Sequence, residues 1–184
     1  MTHVSGYADP SMEIRPLVAT DGPAVHRSLL SDPEIIVWFG PGGVPTLAET
    51  EAMTARKAAH RTVHGFGWSL AWEGEECLGW SVAQHWIIDG FSEVEIGWTV
   101  ARSHWRRGLG TALGRHALSE VCDRGLRSVV AYTREDNVAS RAVMAKLGMT
   151  YEKAFDDAGE TQVLYRLTLN RAVSVGRGDI APGG

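Results

Sequence analysis

Hydrophobic residues alternate with polar ones along several short stretches of the chain, and this spacing predicts β-strands. Two of the stretches, FGWSLAW and CLGWSVAQHW, flank Glu73-Gly74-Glu75, which favours an antiparallel hairpin. A third stretch, residues 93–100, completes a three-stranded meander. Further strands are predicted at residues 13–18, 128–133, 150–155 and 161–169.

Apolar residues at helical spacing predict the helices between these strands. Asp21 is expected to cap the first helix, and a T-x-x-E capping box at Thr46 and Glu49 begins the second, which ends before Gly65. The segment LGTALGRHALSEV forms the third helix, and residues 137–147 form the fourth. The order β-α-α-β-β-β-α-β-α-β-β predicts an α+β fold, with a mixed, mostly antiparallel sheet of about 6–7 strands flanked by about 4 helices.

Composition predicts one globular domain. The chain has 184 residues, of which 44% are hydrophobic and 22% are charged. The domain is expected to span residues 13–170, with flexible segments at residues 1–12 and 171–184 because these are polar or glycine-rich. A formal charge of −4 without a basic face argues against nucleic acid as a partner.

The sequence also indicates a cytoplasmic location. It lacks a run of 18 apolar residues, so no membrane span is expected, and its N-terminal segment lacks the pattern of a secretory signal. Cys77 and Cys122 are isolated and are expected to be reduced thiols. His60 and His64 share a helix face, but Arg61 stands where a zinc protease needs a glutamate, so no metal site is expected.

A glycine-rich turn follows the third strand of the meander and has the layout that a diphosphate site needs. Gly108 and Gly110 let the backbone approach a ligand, and the N–H groups of the helix start point at it. Arg106 and Arg107 add positive charge. An ordinary strand-to-helix turn with exposed arginines is the alternative.

Two other nucleotide motifs fit this turn less well. A P-loop needs Gly-Lys-Ser/Thr, whereas Gly110 is followed by Thr111. The spacing of Gly108, Gly110 and Gly114 is similar to a dinucleotide fingerprint, with an acidic residue at positions 135–136, but that site normally opens a long run of βα units. Here the turn follows a meander, so the dinucleotide interpretation is disfavoured.

Three motifs resemble the GNAT superfamily of N-acetyltransferases. Trp105-x-x-Gly108-x-Gly110-Thr-Ala resembles the acetyl-CoA pyrophosphate motif, and N-x-x-S-x-x-V-x-x-x-L-G-M, from Asn137, resembles the second signature. The opening IRPLVATD…LLSDPEIIVWFG is similar to the branch that contains the ribosomal-protein-alanine N-acetyltransferases. The resemblance covers residues 13–169, with Trp105 in place of the usual Arg or Gln and Met149 in place of Phe.

The resemblance implies acetyl-CoA as co-substrate, no metal, and direct acetyl transfer to an amine. Backbone groups at Val100 would pair with the pantetheine arm, and the Val100 N–H would stabilise the oxyanion. Asn137 would hydrogen-bond the pantetheine arm, or be a plain helix N-cap, or both. The diphosphate would be held by Arg106, Arg107, Gly108, Leu109, Gly110 and Thr111.

The resemblance also implies catalytic residues. Glu95 aligns with an E-I-G segment and is our candidate general base, with Glu93, Tyr132 or water as alternatives. Ser140 matches the serine that protonates the leaving thiolate. Solvated carboxylates and an exposed helix serine remain the structural alternatives for these residues.

The acceptor is less defined. We expect it to be a protein N-terminus or a small-molecule amine, bound by the first two helices and the loops at residues 39–46 and 86–91. Trp38 and Trp86 lie near these loops and are candidate lining residues. An acyl-CoA-binding sensor with weak catalysis is the other functional class, and the sequence leaves a homodimer open.

Overall fold

The computed structural model describes residues 12–122 and 124–169. The predicted strands form one sheet because their alternating side chains cover two apolar layers. The strands are β1 (Met12–Pro16), β2 (Ser69–Glu73), β3 (Glu76–Ile88), β4 (Phe91–Val100), β5 (Ser128–Arg134), β6 (Thr150–Asp157) and β7 (Glu160–Thr168).

The sheet has seven strands in the order β1-β2-β3-β4-β5-β7-β6. Neighbouring strands are antiparallel except β4 and β5, which are parallel. The predicted mixed, mostly antiparallel sheet is therefore confirmed. The flexible segments predicted before residue 12 and after residue 170 lie outside the described residues, and Met12, which was assigned to the first of them, begins β1.

Five α-helices occur in the described part of the chain: α1 (Gly22–Val25), α2 (Pro33–Ile36), α3 (Leu47–His64), α4 (Leu109–Val121) and α5 (Val138–Lys146). The predicted capping box begins α3, since Thr46 Oγ1 accepts from Glu49 N–H and the Glu49 carboxylate accepts from Thr46 N–H. Gly65, with φ 75°, ends the helix as expected.

The first predicted helix differs from the expectation in two ways. It is short, because the chain passes from α1 into a π-helical turn and starts again at Asp32-Pro33, where the aspartate caps α2. Asp21 does not cap α1. Its carboxylate instead accepts from Val18 N–H at 2.9 Å and pairs with Arg15 at 2.7 Å, because a 3₁₀ turn precedes the helix.

The helices cover both faces of the sheet. The segment that contains α1 and α2 packs with Trp68, Trp80 and Val82 on one face. On the other face, α4 and α5 pack against Val94, Ile96 and their neighbours in β5. The described residues contain no helix long and apolar enough to cross a membrane.

Helix α4 lies unusually close to its surroundings at Gly114. A Cβ atom at this position would lie 2.6 Å from Leu147 Cδ1 and 3.0 Å from Trp98 Cε3. The third glycine of the glycine-rich segment therefore serves the packing of α4 against α5 and β4. The first two glycines lie at the end of the helix that faces the site.

Candidate active site

Strands β4 and β5 separate soon after they meet. Across the described residues of these strands, they pair at a single position, Glu95 opposite Val130. Further along β4, Ala101 N–H donates to Leu78 O at 2.8 Å, so the alternation of an antiparallel ladder turns the Val100 N–H toward the open side. The gap between the strands therefore exposes backbone groups of β4.

The two backbone groups of Val100 differ in availability. Its carbonyl accepts from the Trp105 indole Nε1 at 2.8 Å. Trp105 thereby joins the loop after β4 to the last residue of that strand. The carbonyl keeps a second lone pair, so the expectation that either backbone group of Val100 pairs with the pantetheine arm stays a prediction.

A cavity of about 680 Å³ occupies the gap. The structure brings most of the predicted site residues to it. Arg107 is exposed and does not line the cavity, and neither does Glu93. The predicted residues that line it are Glu95, Val100, Arg106, Gly108, Leu109, Gly110, Thr111, Tyr132, Asn137 and Ser140.

The glycine-rich turn presents its backbone to one end of this cavity. Gly108 has φ 86° and precedes α4, and Arg106 has φ 63°, a left-handed conformation that is uncommon for a residue with a side chain. Thr111 N–H donates to Gly108 O at 3.1 Å and is used within the turn. The N–H groups of Leu109 and Gly110 belong to the first turn of α4, where the helix offers no partner.

Glu95 lies opposite Gln84 in the register of β3 and β4. Gln84 Nε2 donates to Glu95 Oε2 at 2.7 Å, and Gln84 Oε1 accepts from Lys57 Nζ at 3.0 Å and from Trp68 Nε1 at 3.1 Å. Burial raises the pKa of Glu95, although the Gln84 hydrogen bond and the Lys57 charge both lower it. The remaining exposure of Glu95 is toward the cavity, which places a carboxylate of increased basicity at the point where β4 leaves β5.

The alternative bases are placed differently. Glu93 receives two hydrogen bonds from Arg166, at 2.6 and 3.1 Å, and this ion pair lies outside the cavity. Burial raises the pKa of Tyr132 to about 12, with a further increase from the carboxylates of Glu95 and Asp157. Tyr132 therefore keeps its proton near neutral pH and is suited to donate rather than accept one.

Asn137 and Ser140 form the start of α5. Asn137 Oδ1 accepts from Ser140 N–H at 3.1 Å, and Asn137 Nδ2 donates to Thr133 Oγ1 at 3.0 Å. The N-cap interpretation of Asn137 is confirmed. A contact with the pantetheine arm would use the second lone pair or the second amide hydrogen.

The cavity also contains residues that sequence patterns did not indicate. Gln84 was not among the candidates, although a polar residue inside an apolar strand was a visible signal. The expected loop at residues 86–91 is a hairpin tip that does not line the cavity, and Trp86 instead stacks over Lys57. The cavity is lined instead by the region of the β6–β7 turn, through Asp157 and Glu160.

Residues 11–150 match the family model described as the acetyltransferase (GNAT) domain. The chain belongs to the GNAT acetyltransferase family. The predicted family and fold are thereby confirmed, and the family favours an acetyltransferase over a sensor. No group of three or more His, Cys, Asp or Glu side chains suited to a metal occurs in residues 12–122 and 124–169.

Curated relatives of this GNAT chain include two mycothiol acetyltransferases. That of Corynebacterium glutamicum (strain R) is 35% identical over 81 residues, or 43% of this chain and 26% of the relative. That of Corynebacterium efficiens is 32% identical over the same length. The chain spans 26% of the length of these relatives, so the similarity concerns one part of each of them.

Solved GNAT structures share the fold over most of the chain. The yncA acetyltransferase from Salmonella typhimurium, solved with acetyl-CoA, has a TM-score of 0.71 and 20% identity over 91% of this chain and 99% of that one. RimL, a ribosomal L7/L12 alpha-N-protein acetyltransferase solved with coenzyme A, has a TM-score of 0.73 and 20% identity over 88% and 96%. An acetyltransferase from Agrobacterium tumefaciens gives 0.70 and 22% over 91% and 96%.

Proposed function

We propose that this chain transfers an acetyl group from acetyl-CoA directly to a primary amine, with Glu95 as the general base. The observation that supports this most is the position of Glu95 in the cavity, where burial raises its pKa. A base is most effective when its pKa approaches the working pH, and burial moves a carboxylate in that direction.

The turn before α4 is suited to hold the diphosphate of acetyl-CoA. The N–H groups of Leu109 and Gly110 point from a helix N-terminus, where the helix dipole favours an anion. Arg106 and Lys146 line the same end of the cavity and add positive charge. The Val100 N–H faces the gap between β4 and β5, where it would meet the pantetheine arm or the acetyl carbonyl.

The chemistry then needs three groups of this chain. Glu95 takes a proton from the acceptor, directly or through water, so that the nitrogen lone pair attacks the thioester carbonyl carbon. The Val100 N–H donates to the carbonyl oxygen as negative charge develops there. The C–S bond breaks as the nitrogen loses its remaining extra proton to solvent, and an O–H donor, which we assign to Ser140, protonates the leaving thiolate and regains a proton from solvent.

The decisive variant is Glu95→Gln, which keeps the shape of the side chain and removes its basicity. We expect turnover to fall by ~100-fold or more, the usual scale for a positioned base, while calorimetry shows unchanged acetyl-CoA affinity. Glu93→Gln is the matched control, because Glu93 pairs with Arg166 outside the cavity, and its turnover should stay within a few-fold.

Turnover of Glu95→Gln within a few-fold of the parent at every pH would refute Glu95 as the base. Free-thiol release separates the two functional classes. Binding of acetyl-CoA without thiol release, for every amine offered, would favour the sensor over the enzyme.

A further inference from the structure

The cavity has two ends of different chemistry, which meet at Glu95. We call the end near the glycine-rich turn the cofactor end, and the end under α2, on the sheet face of Gln84 and Glu95, the acceptor end. The acceptor end is lined by aromatic rings from three parts of the fold: Trp38, Phe39, Trp68, Trp80 and Tyr132.

Three of these rings, Trp68, Trp80 and Phe39, pack in sequence, and we call the five rings together the wall. Trp80 is buried and packs edge-to-face on Trp68, with ring centroids 5.0 Å apart. Phe39 also packs edge-to-face with Trp80, with ring centroids 5.8 Å apart. Phe39 is 53% exposed and Trp38 is 36% exposed, so the outer part of the wall has free apolar surface. Such surface favours a ligand with an apolar, ring-sized body.

The ionisable side chains that line the acceptor end are mostly negative. Its ionisable lining groups, apart from Tyr132, are the carboxylates of Glu95, Asp157 and Glu160. Arg134 stacks on Trp38 at 5.4 Å, but its charge is shared between Asp136 and Glu160. Lys57 lies close by, with its Nζ 3.0 Å from Gln84 Oε1 and over the Trp68 ring, so the three lining carboxylates outnumber the two neighbouring cations. The acceptor end therefore attracts an ammonium group and repels a carboxylate.

Gln84, whose side chain binds the proposed base Glu95, already has hydrogen-bond partners at both ends of its amide. The Gln84 amide has Lys57 and Trp68 at its oxygen and Glu95 at its nitrogen. A peptide acceptor would place amide groups beside these aromatic rings, which offer them no hydrogen bonds, and would depend on Gln162 and the other polar lining groups for partners. Unpaired polar groups weaken binding.

We infer that the acceptor is a primary amine on an apolar, ring-bearing body with no carboxylate beside the amine, which is the arylalkylamine class. The ring packs against Phe39, Trp80 and Trp38, and the nitrogen reaches Glu95. This inference rests on the proposed acetylation of amines and specifies its substrate.

A matched set of acceptors tests the class. Tryptamine, tryptophanamide and tryptophan carry the same ring, and differ in what lies beside the amine: hydrogen, a neutral amide or a carboxylate. We expect kcat/KM for tryptophan to be ~100-fold or more below that for tryptamine, because juxtaposed like charges cost several kcal/mol. Tryptophanamide should lie closer to tryptamine than to tryptophan.

Two further acceptors complete the set, a peptide with N-terminal tryptophan and spermidine. Both should be poorer than tryptamine, and a better kcat/KM for either, or for tryptophan, would overturn the inference. Thiol release with one of these better acceptors would leave the proposed function standing. Absence of release with all five amines, despite acetyl-CoA binding, would refute the function itself.

Variants of the wall test its contribution. Trp38→Leu and Phe39→Leu should each raise KM for tryptamine by ~10-fold, the scale of an aromatic pair, and leave KM for ethylamine unchanged. Phe91→Leu is the control, since Phe91 is exposed outside the cavity. Equal changes for both amines, or none for tryptamine, would contradict a ring-binding wall.

Discussion

Gln84 is fixed in one orientation toward Glu95. Its Nε2 donates to Glu95 Oε2 at 2.7 Å, while two donors, Lys57 Nζ and Trp68 Nε1, hold its oxygen. A flipped amide would place its hydrogens against both donors and its oxygen against the carboxylate. The amide therefore binds one oxygen of Glu95 and leaves the other toward the cavity.

This relationship predicts a change in pH dependence. The Gln84 hydrogen bond lowers the pKa of Glu95, so Gln84→Leu should raise it further. As the proposed general base, Glu95 acts in its ionised form, so activity should be lost as pH falls through its pKa. The acidic limb of kcat/KM should therefore move to higher pH in the variant. Adding Glu95→Gln should abolish that limb, and an unmoved limb would leave Gln84 with a packing role only.

Gly110 provides a test of the diphosphate site. A Cβ atom there would lie 3.5 Å from both Trp98 Cδ1 and Val143 Cγ2, which is ordinary contact, so Gly110→Ala should retain acetyl-CoA affinity. Gly110→Asp would add a carboxylate beside the diphosphate and should weaken binding by ~100-fold. Calorimetry on the two folded variants gives the comparison. Equal affinities would place the diphosphate elsewhere.

The source of the thiol proton can be identified with two acetyl donors. Ser140→Ala should slow turnover by ~10–100-fold with acetyl-CoA, because the thiolate then leaves without an acid. The loss should shrink with an acetyl donor whose thiol is more acidic. Tyr132→Phe is the comparison, since Tyr132 also lines the cavity and keeps its proton. The same donor dependence in Tyr132→Phe, and not in Ser140→Ala, would assign the acid to Tyr132.

Gly114 should be intolerant of a methyl group. The added carbon would meet Leu147, whose side chain can rotate, and the Trp98 ring, which has little room. Overpacking of this kind costs about 1–3 kcal/mol, against a gain of about 1 kcal/mol in helix propensity. Denaturant unfolding should show Gly114→Ala below the parent and Gly110→Ala, in the same helix, at or above it. A Gly114→Ala variant as stable as Gly110→Ala would show that the packing relaxes.

Local patterns predicted the local features of this fold. Alternation placed the strands, and Thr46 and Gly65 marked both ends of α3. The sequence also contains a signal for the break in the first helix, because Asp32-Pro33 is typical of a helix start. The spacing of the apolar residues around it nevertheless suggested one continuous helix. The hairpin tip after Trp86 was taken for a loop because its exposed apolar residues do not distinguish strand from loop.

The lining of the acceptor end could not be predicted from local patterns, because it depends on how distant strands pair in the sheet. Asp157 reaches the cavity only because β7 inserts between β5 and β6, and no pattern within the β6–β7 turn encodes that order. The environment of Gln84 required the register of β3 and β4 together with the position of α3. Motifs could point to the proposed cofactor end because a diphosphate is bound by consecutive backbone groups, whereas an acceptor is bound by side chains from separate elements.

Strands β4 and β5 pair at a single position. The sheet therefore consists of two parts, β1-β2-β3-β4 and β5-β7-β6, which share one backbone pairing. Beyond Glu95 and Val130, side-chain packing holds the two parts of the sheet together. Val121 of α4 and Met144 of α5 lie in one apolar cluster with residues of both β4 and β5. Where two strands are hydrogen-bonded, the backbone fixes the distance between them. Where they are not, the volume of the side chains packed against both strands determines that distance. The width of the opening therefore depends on buried apolar side chains such as Val121, which belongs to this cluster and does not line the cavity, and a substitution there would change the width without altering a lining group.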